Sequence, residues 1–165
     1  MALYSEQQRF QQKWVLAICL TTPISFFFLS SLSLRQIWQT DSFSNSAETT
    51  FLICTLSGFI TMLIPILIRR IGLNTRVSKQ GLSLRFIPFH RHERTYLFEN
   101  ILCVEAVQYR PIRDYGGWGI RIGRNGRAYN VSGNMGVMIN LKDGKTFLIG
   151  SQKSEVLAQI ITNNL

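Results

Sequence analysis

The stretch Phe51–Arg70, FLICTLSGFITMLIPILIRR, decides the organisation of this chain. No charged residue occurs between Glu48 and Arg69, and a helix of that length measures about 30 Å, which matches the hydrocarbon core of a bilayer. Within it, Gly58 offers a small-residue position for packing against another helix. The stretch therefore predicts a membrane-spanning helix over about residues 51–68.

A second uncharged run, Trp14–Leu34, precedes it and contains 21 residues. Pro23 lies inside this run and is expected to bend a helix that membrane surroundings still tolerate. A cleaved signal peptide is the alternative interpretation, but the length of the run and the closeness of the next one favour a second span. We predict a transmembrane helical hairpin in residues 1–70, with spans at about 14–34 and 51–68 and a polar connector between them.

Charge is distributed very unevenly along the chain. The first 68 residues contain three basic and three acidic residues, whereas the remainder contains 15 basic and six acidic ones, so the whole net charge of +9 lies after the second run. Lys and Arg flank the outer ends of both runs, and the connector carries only Arg35. The positive-inside rule then places both termini in the cytoplasm.

From residue 71 onward the hydrophobic period becomes strand-like. The turn signal Lys79-Gln80-Gly81 separates two alternating segments and predicts a hairpin of Leu73–Ser78 with Leu82–Phe89. Further strands are predicted at Thr95–Phe98, Glu99–Tyr109, Trp118–Ile122, Ala128–Val131, Gly136–Leu141 and Thr146–Gly150, with a turn at Asn125-Gly126. A helix is predicted over Gln152–Asn163, with an apolar face of Val156, Leu157, Ile160 and Ile161. We expect an α+β protein in which residues 71–165 form a β-sandwich or partly open barrel of about seven strands, capped by the C-terminal helix.

The most distinctive stretch is Arg113–Asn134, RDYGGWGIRIGRNGRAYNVSGN. Together with Leu148–Lys153 and the opening Glu6–Phe10, it resembles a family of small bacterial membrane proteins that have two N-terminal spans and a C-terminal pleckstrin-homology-like (PH-like) domain. The resemblance implies a PH-like fold for residues 71–165 and a place in the bacterial inner membrane. It transfers no activity, and Ser154 stands where the family is expected to start its helix with proline.

The same stretch supplies the candidate binding residues. Three glycines surround Trp118, permitting positive φ and close backbone approach. One interpretation is structural, a bulged strand pair packed by aromatic side chains. The other is a groove in which backbone N–H groups bind an anion beside neighbouring arginines. The candidate binding residues are Arg113, Trp118, Arg121, Arg124 and Arg127.

Catalytic and metal-binding patterns are weak in this sequence. His90 and His92 lie among arginines that would repel a cation, and a solvated turn is the preferred interpretation. An enzyme would need one of these histidines to meet Cys103 or Asp114 in a pocket, and no motif indicates that arrangement. We expect no catalytic residue, no metal and no cofactor.

These features favour a non-enzymatic, membrane-anchored interaction module, a scaffold or accessory subunit that binds a protein partner or a second copy of itself. The alternative is a sensor of anionic lipid headgroups that uses the basic face of the C-terminal domain. Nucleic acid is a third option, because basic strands carry interleaved aromatic residues. It is disfavoured, since the domain is tethered and has no RNA-binding signature.

Overall fold

The structure is a computed structural model that describes residues 2–10, 12–40, 45–124 and 126–165. These residues divide into two units. Gln12–Arg69 forms a helical unit, and the described parts of Met1–Gln11 and Arg70–Leu165 form a β unit.

The helical unit consists of α1, Lys13–Thr40, and α2, Asn45–Arg69. Both helices are long and apolar enough to cross a membrane, with mean hydropathies of 2.0 and 2.4 in their most apolar parts. Each helix continues into the predicted polar connector, because no glycine or proline interrupts residues 35–40 and polar residues can extend a helix beyond its apolar part. The rest of the predicted connector, residues 41–44, lies outside the described residues.

Small residues mediate the contact between α1 and α2. Gly58 is buried, and a Cβ placed on it would lie only 3.1 Å from the ring of Phe27. The Phe27 ring also meets Phe59 edge to face at 5.3 Å, and the hydroxyls of Ser30 and Thr55 lie 2.6 Å apart. The small-residue position predicted on the second helix therefore packs against the first helix.

The β unit contains nine strands and two helices within the described residues. In chain order they are β1 Ala2–Arg9, β2 Gly72–Ser78, β3 Gly81–Ile87, β4 Arg94–Leu97, β5 Ile101–Gln108, α3 Pro111–Tyr115, β6 Gly119–Gly123, β7 Gly126–Asn130, β8 Met135–Leu141, β9 Thr146–Gly150 and α4 Ser154–Thr162. One sheet has the order β1-β2-β3-β4 and the other β5-β8-β9-β7-β6. Neighbouring strands are antiparallel except β7 and β9, which are parallel. The predicted α+β class, with two long apolar helices followed by β-sheets and a C-terminal helix, is confirmed.

The core lies between the two sheets and under α4. On β3, the side chains of Leu82, Leu84 and Phe86 are buried as the predicted alternation requires. The buried face of α4 is formed by Leu157, Ala158 and Ile161, whose i, i+1, i+4 spacing covers one stripe of a helix. The predicted face was partly wrong, because Val156 points away from that stripe and is 46% exposed.

The N-terminal strand β1 is not predicted by the sequence pattern. Its polar sequence, ALYSEQQR, shows no run of alternating apolar residues, yet it pairs with β2 from Ala2↔Ser78 to Arg9↔Gly72. The first residues therefore belong to the β unit, whereas the sequence pattern grouped them with the helical hairpin in 1–70. Backbone pairing with β2 supplies the hydrogen bonds that local composition does not reveal.

The short helix α3 is the second unpredicted element. Proline occupies its first turn, and Gly116 ends it in the left-handed conformation at φ 72°. This proline-to-glycine arrangement is typical of helices. Five residues are too few to show a helical period in the sequence.

Gly126, which follows the undescribed Asn125 of the predicted turn, has φ 95°, and a Cβ there would collide with the carbonyl oxygen of Thr146.

Candidate functional site

The glycines around Trp118 do not form the predicted groove of free N–H groups. The Gly116 N–H donates to the carbonyl of Ile112 at 2.9 Å, and the Gly117 N–H donates to that of Pro111 at 2.9 Å. The Gly119 N–H donates to Asn130 Oδ1 at 3.0 Å. Because these donors are satisfied within the chain, they are not available to an anion.

Trp118 and Arg121 hold the loop between α3 and β6. The indole Nε1 of Trp118 donates to the carbonyl of Gly133 at 3.1 Å, and Arg121 Nε donates to the carbonyl of Trp118 at 3.1 Å. Both side chains thus make contacts that fix local backbone. The structural interpretation of the glycine-rich stretch accounts for these contacts.

Arg124 and Arg127 line an open cleft of about 910 Å³ in the β unit. The turn ends of the β6–β7 and β8–β9 hairpins form its walls, together with Tyr96 of β4 and with Lys145. Arg113 lies apart from it and lines a second cleft of about 530 Å³ with Arg110. Arg124 lines both clefts, so the structure connects it with Arg127 on one side and with Arg113 on the other.

Two arginines converge on one buried hydroxyl beside the larger cleft. Arg94 Nη1 donates to the Tyr129 hydroxyl at 3.3 Å, and Arg127 Nη1 donates to the same oxygen at 3.5 Å. The Tyr129 side chain is only 1% exposed, whereas both arginines are exposed. The hydroxyl therefore serves as a buried acceptor that two exposed cationic side chains share.

The candidate binding residues predicted from the sequence include Arg127 of this pair but not Arg94. The two residues lie on different sheets, on β7 and β4, and are separated by 33 positions in the chain. Their meeting depends on the packing of one sheet on the other, which no spacing in the sequence encodes. The basic character of residues 85–94 was the only available signal.

His90 and Tyr96 complete the surroundings of Tyr129. The His90 ring is 5.7 Å from the Tyr129 ring, and its Nδ1 accepts the backbone N–H of Phe86 at 3.2 Å. Burial lowers the pKa of His90, and the positive charges of Arg94 and Arg127 lower it further. The predicted solvated turn is therefore wrong for His90, which is buried.

Tyr96 also lines the larger cleft. Its ring stacks on Phe147 with centroids 4.4 Å apart. Burial raises the pKa of Tyr96, and its interaction with the Tyr129 hydroxyl adds to the effect, while the nearby arginines oppose it. The Tyr96 side chain therefore stays a neutral phenol at neutral pH.

Carboxylates are scarce around the larger cleft. None of its described lining residues is Asp or Glu. Among the residues that the structure describes, the ion pairs are Arg76 with Glu93 at 4.0 Å and Lys145 with Asp143 at 2.7 Å. Arg94 and Arg127 belong to neither pair, so their charge is not balanced by a neighbouring carboxylate of the described chain.

A second cluster, centred on Glu6, joins β1 to the segment before α4. The hydroxyls of Tyr4 and Ser151 donate to Glu6 Oε2 at 2.7 and 2.6 Å, and Gln8 Nε2 and the Gln152 N–H donate to Oε1, each at 2.9 Å. Burial, with the hydrogen bond to Glu6, raises the pKa of Tyr4 to about 12. Two of the motifs that carry the family resemblance, at Glu6–Phe10 and Leu148–Lys153, thus meet in space.

The described side chains give little support for a metal site or for a reactive thiol. Across residues 2–10, 12–40, 45–124 and 126–165, no three His, Cys, Asp or Glu side chains gather as a metal site requires. The three cysteines are free thiols, and Cys103 Sγ accepts a hydrogen bond from Asn140 Nδ2 at 3.2 Å.

The fold and the cleft define an α+β protein with two helices able to cross a membrane and a basic β unit. Comparison with protein-family models and with curated proteins gives no match for this chain. The resemblance carried by Tyr115–Arg121, Arg127–Asn134 and Leu148–Lys153 therefore stays a prediction.

Proposed function

We propose that the protein is a non-enzymatic, membrane-anchored interaction module. The two apolar helices cross the bacterial inner membrane as a hairpin, and the β unit, of PH-like type, binds a protein partner on the cytoplasmic side. In this role the chain acts as a scaffold or as an accessory subunit of a membrane complex.

The pairing of β1 with β2 carries the proposal. One strand precedes the helical hairpin and the other follows it, so a shared sheet requires both flanks of the hairpin to lie on the same side of a membrane. An even number of spans meets this requirement. The excess of Lys and Arg beside the outer ends of the helices favours the cytoplasmic side.

The connections between strands and helices are short. Only three residues separate Arg9 from Lys13, and two separate Arg69 from Gly72. Four steps of fully extended chain reach about 14 Å. In the proposed role, connections this short keep the β unit close to the membrane surface.

Strand β6 provides a surface for a protein partner. It lies at the end of the order β5-β8-β9-β7-β6, so one of its edges is unpaired within the described sheet. Ile122 on this strand is 78% exposed. An exposed sheet edge with an apolar side chain is the arrangement used when another chain adds a strand.

The proposal is tested by crosslinking in native membranes, followed by purification in mild detergent. The wild-type chain is compared with Ile122→Lys and with the matched control Val156→Lys, since Val156 is exposed on α4. We expect one reproducible crosslinked partner that Ile122→Lys weakens at least tenfold and Val156→Lys leaves unchanged. Recovery of a lone monomer from wild-type membranes would contradict the proposal.

Anionic lipid headgroups are a second candidate ligand, favoured by the cluster of Arg124, Arg127 and Lys145 around one cleft. Each basic side chain near an anionic surface contributes about 1 kcal/mol at moderate salt. Hydrogen exchange of the full chain in nanodiscs tests this candidate. Protection of the β6–β7 hairpin should be greater in anionic than in zwitterionic lipid and should decline at high salt, and identical protection in both lipids would exclude it.

A further inference from the structure

We propose that Arg94, Arg127 and the Tyr129 hydroxyl form a binding site for one phosphoryl group. The site goes beyond the interaction role, because it assigns a ligand chemistry to the larger cleft, which Ile122 of the proposed partner surface also lines. The phosphoryl group can belong to a lipid headgroup or to a soluble phosphate compound, and the experiment distinguishes the two sources.

The geometry already brings two guanidinium groups to one point. Both donate to the same Tyr129 oxygen, at 3.3 and 3.5 Å, so their terminal nitrogens lie within two hydrogen-bond lengths of each other. Two like charges at that separation repel each other, and the neutral phenol between them compensates neither. An anion placed between the guanidinium groups would remove the repulsion.

The acceptor at the base of the site is held rigidly. Tyr129 pairs with Ile120 and Ile149 in the sheet, and its ring packs edge to face on Phe147 at 6.3 Å and on His90 at 5.7 Å. The exposed arginines can move to a ligand while the hydroxyl stays in place. The hydroxyl is fixed and lies between two guanidinium groups that can adjust. This arrangement is preorganised, and preorganisation lowers the entropic cost of binding.

A phosphoryl group fits this set of donors better than a carboxylate does. The paired N–H donors of a guanidinium group can bind two oxygens of either anion. A tetrahedral phosphoryl group, however, has three acceptor oxygens in different directions, one for each arginine and one for the Tyr129 O–H. The acceptor sites of a carboxylate all lie close to one plane, so they match donors that converge from three directions less well.

The cleft has room and charge for the remainder of such a ligand. It is open, has a volume of about 910 Å³, and carries Arg124 on its wall, whereas Lys145, which also lines it, is paired with Asp143. The absence of acidic residues from its described lining leaves the field around the site positive. Charge of one sign in a cleft raises the local concentration of ions of opposite sign.

The experiment titrates inorganic phosphate into the full chain in a neutral detergent, at constant ionic strength with chloride as the reference. Isothermal calorimetry reports binding, and the NMR signals of the His90 ring report its location, because an anion between Arg94 and Arg127 opposes their effect and raises the His90 pKa. We expect saturable binding and an upward shift of that pKa. No binding above the chloride reference would overturn the proposal.

The matched variants are Arg94→Gln, Arg127→Gln and, as control, Arg91→Gln, whose side chain is exposed and lines neither cleft. Each site variant should weaken phosphate binding at least tenfold, whereas the control should stay within twofold of the wild type. Tyr129→Phe removes the hydroxyl and keeps the buried ring, and it should weaken binding while the thermal transition is retained. Equal losses in all the arginine variants would indicate nonspecific charge attraction and would overturn the site.

Lipid competition identifies the source of the phosphoryl group. In nanodiscs that contain phosphatidic acid, a lipid-bound ligand competes and weakens inorganic phosphate binding relative to phosphatidylcholine nanodiscs. Unchanged phosphate binding assigns the site to a soluble phosphate compound. Ile122 lines the same cleft, but the phosphate titration contains no partner protein and the crosslink no added phosphate, so failure of one proposal can be told from failure of the other.

Discussion

Glu6 shows how a polar strand is retained in the β unit. Its carboxylate is half-buried and accepts four hydrogen bonds from neutral donors. Hydrogen bonds to an ionised acceptor are stronger than neutral ones. The carboxylate therefore ties β1 to the segment between β9 and α4, which are far apart in the sequence.

The variant Glu6→Gln tests the contribution of these hydrogen bonds to stability. The amide has nearly the same shape, but its NH2 group faces donors where the carboxylate oxygen accepted from them. We expect the free energy of unfolding of the β unit to decrease by about 1–3 kcal/mol. Thermal unfolding of the full chain in detergent, followed by β-sheet circular dichroism, measures the change. The exposed Glu99→Gln serves as control, and an equal effect of both variants would contradict the role of Glu6.

His90 predicts a defined dependence of stability on pH. Burial and the two arginines lower its folded-state pKa below the ordinary value of about 6.5. The unfolded chain therefore binds a proton at higher pH than the folded chain. Stability should be constant well above pH 6.5 and should fall as the pH drops below it, until the folded-state pKa is also passed.

The measurement is the melting temperature of the β unit between pH 8 and pH 5. In His90→Asn the side-chain oxygen can still accept the Phe86 N–H, but the titrating group is gone. The decrease on acidification should become smaller in this variant and should persist in His92→Asn, because His92 is exposed. A decrease of the same size in His90→Asn would show that other groups cause it.

The individual side chains of the cleft were only partly predictable. Arg124 and Arg127 stand in a basic, glycine-rich stretch that drew attention to them, and the structure places both in the larger cleft. Arg94 and Tyr129 acquire their roles through the packing of β4 against β7, which lie in different sheets. Contacts between sheets leave no periodic trace in the sequence, so they could not be inferred from it.

At the scale of elements, α1 and α2 depend on a close approach at Gly58. The ring of Phe27 occupies the space that a side chain at this position needs. In the proposed membrane setting, close packing of this kind replaces the hydrophobic effect as the source of association between helices.

Gly58→Leu should accordingly separate the two helices. Overpacking of a close contact costs about 1–3 kcal/mol. Adding Phe27→Ala makes room for the new side chain and should recover part of the loss, which a double-mutant cycle detects. Unfolding of the helical unit in sodium dodecyl sulfate measures the effect. If Phe27→Ala adds its own loss without any recovery, the contact at Gly58 is not the one that matters.

Elements with a clear period were predictable, and elements without one were not. The alternation of Leu82, Leu84 and Phe86 predicted β3, and a similar pattern predicted the β8–β9 hairpin. Strand β1 and helix α3 were not predicted, since β1 is polar and α3 has only five residues. In both cases the determinants are the pairing partner and the capping residues, which act beyond the local apolar pattern.

At the scale of the whole molecule, the pairing of β1 with β2 links the helical hairpin to the β unit. The chain enters and leaves the hairpin through adjacent strands of one sheet. The sequence predicted the two helices and the strand-rich remainder from hydropathy alone. It could not predict that the first residues form an end strand of the sheet, because their composition is equally compatible with a polar tail.

The central claim is tested most directly by a disulfide across β1 and β2 in membranes. Gln7 and Asn74 are register partners, and the Cα separation of such partners suits a disulfide. The native cysteines are replaced by serine, Gln7→Cys and Asn74→Cys are introduced, and a protease site is placed within residues 41–44. Carbonate-washed membranes are then oxidised, cleaved and run on a gel with and without reductant. Gln7→Cys with Lys79→Cys is the control pair.

The account predicts that the two halves of the cleaved chain migrate together without reductant and separate with it, and that the control pair separates in both lanes. Separation of the Gln7/Asn74 pair in both lanes would show that the strands on either side of the hairpin do not meet, which contradicts the account.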